Sequence, residues 1–275
     1  SNVSFYKKDK TTDALGERNT VLRIVRVLSA PHDINLNLLK FVAMLSMVID
    51  HIHLIWFHRR GVGFDGIYSP LLTKIGLLAL PLFCFILTFN LMHHTSSKTK
   101  LLKRLFLFGV VSQYPYYWSL KDHVTFNGLN IFATLLLGAL LVSSAIHYKK
   151  PSTGWIASLG CTVVLVFEHS THTKYSAMLD GGLTTVVLML ALFLAMQPKW
   201  YFMMLGWLFS SIALYILDGQ LFYWPLAGIL FATYFSRWIP LKMKWMQKSK
   251  WFFYGFYPAH LALIQALLLW RRAFQ

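Results

Sequence analysis

Nine apolar runs constrain this 275-residue chain more than any single residue does. They fall at 36–57, 70–92, 101–119, 129–147, 154–168, 181–197, 199–217, 221–239 and 251–270. A helix needs about 20 apolar residues to cross a bilayer, so nine crossings and their loops use up the chain. No separate soluble domain fits beside them. The fifth run is short and reads as a tilted or partly re-entrant helix. The sixth and seventh are separated only by Pro198 and Lys199, which predicts a tight helical hairpin. Charged residues make up only 13% of the chain, against about 25% in soluble domains, so lipid is the expected solvent. The expected fold is all-α: a polytopic membrane bundle of about nine transmembrane helices over residues 34–275, preceded by a basic tail at 1–33.

The 26 basic and 10 acidic residues leave a net charge of +16. In a soluble protein that excess would suggest nucleic acid, but no base-reading motif accompanies it. Most basic residues lie between the apolar runs, where membrane topology explains them first. With the tail (Lys7, Lys8, Lys10, Arg18, Arg23, Arg26) in the cytosol, eighteen Lys and Arg lie on that side and seven on the other. That asymmetry predicts a cytosolic N-terminus and an outer C-terminus. The polar tail reads as a cytosolic segment, not a signal peptide. Cys84 and Cys161 both lie inside apolar runs, which excludes a disulfide framework and fits buried packing.

Since apolar helices explain most of the chain, the informative residues are polar groups within them. An ionisable side chain at the bilayer centre costs about 2.5–3.5 kcal/mol on insertion scales and is a functional candidate by default. The first run carries Asp50 and His51 side by side, and Lys40 eleven positions earlier. Eleven steps of about 100° come within about 20° of three full turns, so Lys40 and His51 share one helix face, about 16 Å apart. Met44 and Met47 lie on the same stripe. Such a face suits an elongated anionic cofactor, held by the cation near the surface with its reactive end at the imidazole. Asp50 points about 100° away and is placed to orient a group on a neighbouring helix. His260 in the last run and Gln113 in the third both lie about 15 Å in from the cytosolic side. His51, Gln113 and His260 are thus expected at one depth. Pro258 frees a backbone carbonyl near His260, and Gly255 is expected to allow close approach beside a kink.

The same residues have plainer readings. An intramembrane Gln or His is often an interhelical hydrogen bond, worth about 0.6 kcal/mol; for Gln113 the two readings are balanced. Lys40 on its own would be a snorkelling lysine, and its register with His51 is what raises a cofactor role. Glu168, His169 and His172 lack a recognisable metal spacing, so no metal is expected. Asn127 and Asn130 flank Gly128 where the fourth run begins, which fits a helix cap. Tyr114, Tyr116, Tyr117, Trp118, Trp251 and Tyr254 read mostly as an interfacial belt.

Five segments, LKFVAMLSMVIDHI (39–52), LPLFCFILTFNL (80–91), RLFLFGVVSQYPYY (104–117), GLNIFATLLLGA (128–139) and FFYGFYPAHLALI (252–264), resemble in order the blocks of the TraX family. They cover under a third of the chain, and the long basic tail has no counterpart among them. The family in turn resembles a wider transmembrane acyltransferase superfamily, in which a basic residue and a His separated by ten residues mark the first catalytic helix. Lys40 and His51 match that spacing. The resemblance implies a multi-pass protein of the bacterial inner membrane that transfers acetyl from acetyl-CoA to the N-terminal amine of a pilin subunit, or to another envelope acceptor.

Under that expectation His51 is the general base, a role worth about 10²–10⁴-fold, and Asp50 orients or stabilises a histidine. His260 donates to the thioester oxygen or binds the acceptor, Gln113 supplies a second oxyanion donor, and Lys40 holds a CoA phosphate. Three alternatives stand beside it: a proton-coupled transporter, acyl transfer to an envelope glycan, and a non-catalytic pilin-insertion factor. The transporter is disfavoured because the chain shows no inverted repeat and no paired broken helices.

Overall fold

The computed structural model describes residues 34–53, 68–94, 97–120, 129–147, 182–218, 221–234, 236, 239 and 250–273. They belong to one compact unit, Asn35–Gln275, and are helical throughout. In chain order the helices are α1 (Leu36–Ile52), α2 (Tyr68–Gly76), α3 (Ala79–Phe89), α4 (Lys98–Leu120), α5 (Ile131–His147), α6 (Gly182–Ala195), α7 (Trp200–Asp218), α8 (Tyr223–Tyr234) and α9 (Lys250–Ala273). They coincide with eight of the nine apolar runs. The fifth run, 154–168, lies outside the described residues, as do the basic tail, Cys161 and the group Glu168, His169 and His172.

Among the described residues, two helical stretches are long and apolar enough to cross a membrane: Lys74–His93 and Phe252–Trp270. Ile131–His147, Gly182–Ala195, Trp200–Ile216 and Tyr223–Thr233 are shorter apolar helices. Large apolar side chains face outward along the bundle, among them Phe106 and Val110 on α4, Met204 on α7 and Leu263 on α9. A water-exposed protein rarely presents so continuous an apolar exterior.

The second run is not one smooth helix. It breaks between α2 and α3 at Leu77 and Leu78, where Leu78 N–H reaches back only to Ile75 O at 3.2 Å. Pro81 explains the break: it has no N–H for the Leu77 carbonyl, and its ring crowds that turn. Beyond α3 the chain continues as a π-helical turn, Asn90–His94. The hairpin expected at Pro198–Lys199 forms, with α6 ending at Ala195 and α7 starting at Trp200.

α6 is the centre of the bundle. Every residue from Thr184 to Ala195 is buried, and α3, α5 and α7 pack around it. A helix apolar on all faces belongs in a protein core or in lipid, and this one takes the interior of the bundle. Glycines on its neighbours bring the backbones close, as small residues do between membrane helices. A Cβ on Gly206 of α7 would collide with the α6 backbone at Ala191 and Ala195, and one on Gly138 of α5 would lie 2.5 Å from Met189 Sδ. Gly182 starts α6 at a φ of 58°, a conformation that favours glycine.

Residue pairs set the helix directions. α1 and α9 run the same way, since Lys40 lies over Phe253 and His51 meets His260. α4 and α9 also run together, joined by Phe108–Tyr254 and by Ser119–Leu261. The α2–α3 stretch and α8 agree likewise, through Lys74–Trp224 and Gly228–Leu78. At the start of α1, Asn35 caps the helix by accepting from Leu38 N–H at 3.1 Å. Its amide donates to Ile239 O at 3.0 Å, which ties this end to the segment after α8.

Candidate functional site

α1 and α9 each bring one histidine to a shared contact. His51 Nδ1 and His260 Nε2 are 2.6 Å apart. The rings are nearly coplanar and meet edge to edge, with centroids 4.9 Å apart and planes within 9°. His260 is buried, and its Nδ1 donates to the Phe256 carbonyl one turn back, at 2.9 Å. Both ring nitrogens of His260 are therefore engaged.

Aromatic side chains from α9 hold the pair in place. Tyr257, also buried, stands edge-on to His51 at 6.1 Å and to His260 at 5.7 Å. Phe256 stacks on His260 at 5.2 Å. Tyr257 in turn packs edge-on against Phe132 of α5 at 5.2 Å. Ser119 on α4 donates to the Leu261 carbonyl at 3.1 Å, fixing α9 beside its histidine. Tyr257 was not singled out in the sequence; its place three residues before His260 was the available signal.

Gln113 enters a different set of bonds. Its Oε1 accepts from both the backbone N–H and the side-chain amide of Asn130, each at 3.0 Å. The Asn130 amide also donates to the Gly109 carbonyl at 2.7 Å, and its Oδ1 accepts from Phe132 N–H at 3.0 Å. Asn130 is thus the cap expected from the sequence, and it is fully buried. Gln113 ties α4 to α5, in keeping with its interhelical reading. Asn130, Phe132 and Tyr257 link it to the histidine pair.

Lys40 lies about three turns from His51 on α1, half-buried, its Nζ 5.7 Å from the centre of the Phe253 ring. Met44 and Met47 between them are buried, as the shared stripe requires. Close by on α9, Tyr254 is hydrogen-bonded by Arg104 of α4. Asp50 faces away from the pair and lies against Gly76 at the end of α2; a Cβ there would sit 2.5 Å from Asp50 Oδ1. On the neighbouring helix it meets a bare glycine and no side chain to orient, and its charged neighbour is His53, three residues on.

Gly255 corrects the sequence reading. Among the described residues, a Cβ at this position would meet nothing within 4 Å, so none of them approaches closely there, and α9 runs as one helix through Pro258. Within the expected aromatic belt Tyr114 and Tyr117 are exposed, whereas Tyr116 is buried. Among the described residues no group of three or more His, Cys, Asp or Glu could hold a metal ion. Cys84 is a buried free thiol within α3.

Residues 35–268 match the family model described as TraX protein. The chain is also 28% identical over 240 residues to a Dichelobacter nodosus protein named "Probable fimbrial assembly protein FimC, serogroup H1". That alignment covers 82% of this chain and 92% of the relative. No solved structure matches the chain.

Proposed function

We propose that this chain, which belongs to the TraX family, is a multi-pass inner-membrane acyltransferase that acetylates a component of pilus or fimbrial assembly. Acetyl-CoA is the donor and the N-terminal amine of a pilin subunit the leading acceptor. The observation that carries this reading is the hydrogen-bonded His51–His260 pair, enclosed between two helices and walled by aromatic rings. Such a pair can take a proton from an attacking amine or hydroxyl and return it to a leaving thiolate.

Three further features support the reading. The first is Lys40, on the same face of α1 as His51 and about 16 Å from it, a span that suits a phosphate-bearing donor whose thioester lies at the imidazoles. The second is the shared direction of α1, α4 and α9, which fits their places as first, third and ninth of about nine spans with a cytosolic N-terminus. The third is the name of the Dichelobacter relative, which ties that protein to fimbrial assembly. In this reading Gln113 supports α5 behind the site, and Asp50 holds α1 against the α2–α3 break.

The test is acetyl-CoA binding to the purified full chain in detergent, followed by thermal shift, with wild type compared against Lys40→Ala. A ligand at 100 times its Kd stabilises by about 2.7 kcal/mol, which raises the melting temperature measurably in wild type and less in the variant. The absence of a shift in both proteins at millimolar acetyl-CoA would return the chain to the transporter or assembly-factor reading. Acetyl transfer retained by His51→Ala would remove the histidine pair from the chemistry.

A further inference from the structure

Resting on the acyl-transfer reading, we infer that His51 is the proton acceptor through its Nε2, and that His260 is a positioning residue that fixes the tautomer of His51. A carbonyl oxygen can only accept a hydrogen bond. The 2.9 Å contact from His260 Nδ1 to Phe256 O therefore places a hydrogen on Nδ1. A neutral imidazole carries one N–H, so Nε2 of His260 holds a lone pair. The atom facing that lone pair at 2.6 Å is His51 Nδ1, which must donate. The one hydrogen of neutral His51 is thereby held on Nδ1, and its Nε2 keeps the lone pair that a general base needs.

The surroundings hold this order. Two imidazolium rings at that separation would repel strongly, so the pair carries at most one added proton. The planes of the two rings lie within 9° of each other, and Tyr257 stands edge-on to both, at 66° and 69°. His260 has no nitrogen left for the thioester oxygen, which displaces the donor role expected from the sequence. It acts through His51, with the Phe256 carbonyl behind it, as the orienting carboxylate does behind a catalytic histidine.

The reaction follows from this arrangement. The acceptor's N–H or O–H proton passes to His51 Nε2 as the acceptor's electron pair forms a bond to the thioester carbonyl carbon. The tetrahedral intermediate then collapses, the C–S bond breaks, and the departing thiolate takes the proton from His51 Nε2. While His51 is charged, its Nδ1–H bond to His260 becomes charge-assisted and shorter, and the charge is spread across the pair.

The decisive measurement is nitrogen-15 NMR of histidine-labelled full chain in bilayers, with His51 and His260 assigned by single substitution. Expected are a protonated Nδ1 and a bare Nε2 on both residues. His260→Gln, whose side-chain carbonyl can accept the same hydrogen bond, keeps the His51 tautomer, whereas His260→Leu releases it. In acetyl transfer, His260→Gln retains turnover within about tenfold. His260→Leu lowers kcat about 10²–10⁴-fold, the range known for a catalytic histidine left in the wrong tautomer, with KM for acetyl-CoA unchanged. A hydrogen on Nε2 of wild-type His51 would overturn the assignment without substrate being involved. Equal loss of turnover in both variants, with the His51 tautomer intact in His260→Gln, would overturn the positioning role and make His260 a proton carrier. The expected tautomers without any acetyl transfer by wild type would remove the catalytic role while leaving the proton order standing.

Discussion

Asn130 offers the sharpest test of the packing behind the site. Replacing it with Ala removes three side-chain hydrogen bonds, to Gly109 O, Gln113 Oε1 and Phe132 N–H. Loss of an N-cap costs about 0.5–2 kcal/mol, and each interhelical bond between membrane helices adds about 0.6 kcal/mol. With Asn130 fully buried, water does not replace them, so the expected loss is about 2–3 kcal/mol. The informative control is Asn130→Asp. Asp is ordinarily as good an N-cap as Asn, and it would still accept from Phe132 N–H. Here it loses both donated bonds and turns a carboxylate toward two acceptor oxygens, so it should destabilise at least as much as Ala. Thermal unfolding of the three proteins in detergent gives the order wild type, then Ala, then Asp, with Ala lower by about 4–10 °C. If Asp melts with wild type, the amide of Asn130 is not donating, and the account of Gln113 as its partner fails.

Three further outcomes follow from the glycines. Gly76→Ala pushes a Cβ to 2.5 Å from Asp50 Oδ1 and should destabilise by about 1–3 kcal/mol, as overpacking does; combining it with Asp50→Ala should recover only part of that loss in the same melting assay, because the Cβ kept at position 50 still lies 2.9 Å from the new one. Gly206→Ala should lower the yield of folded protein in membranes, because its Cβ strikes backbone that cannot move aside, whereas Gly255→Ala in open space should melt at or above wild type, helped by about 1 kcal/mol of helix propensity.

Much of this was legible from spacing and composition. A helix advances by a fixed rise and rotation, so the common depth of His51 and His260 and the Met44–Met47 stripe followed from counting residues; that the two rings touch depends on how α1 and α9 dock. The cap at Asn130 was readable because capping is local. Its bond to Gln113 was not, since which residues pair across helices depends on how α4 and α5 dock. The break at Leu77–Leu78 was hidden by unbroken hydropathy, although Pro81 marked the missing backbone bond. Gly255 misled for a related reason: a glycine shows that close approach is permitted, and only the neighbouring helix decides whether it is used.

The pair that defines the site joins the first described helix to the last, across 209 residues. During synthesis, α1 enters the membrane long before α9 exists. At about 5–20 residues per second, His51 waits on the order of 10–40 s for its partner. No shortened chain ending before α9 can assemble the site, so a ribosome that stalls early leaves a fragment without the histidine pair. For that interval the imidazole of His51 must be accommodated by whatever neighbours have already arrived, which makes the order of helix insertion part of how the protein becomes competent.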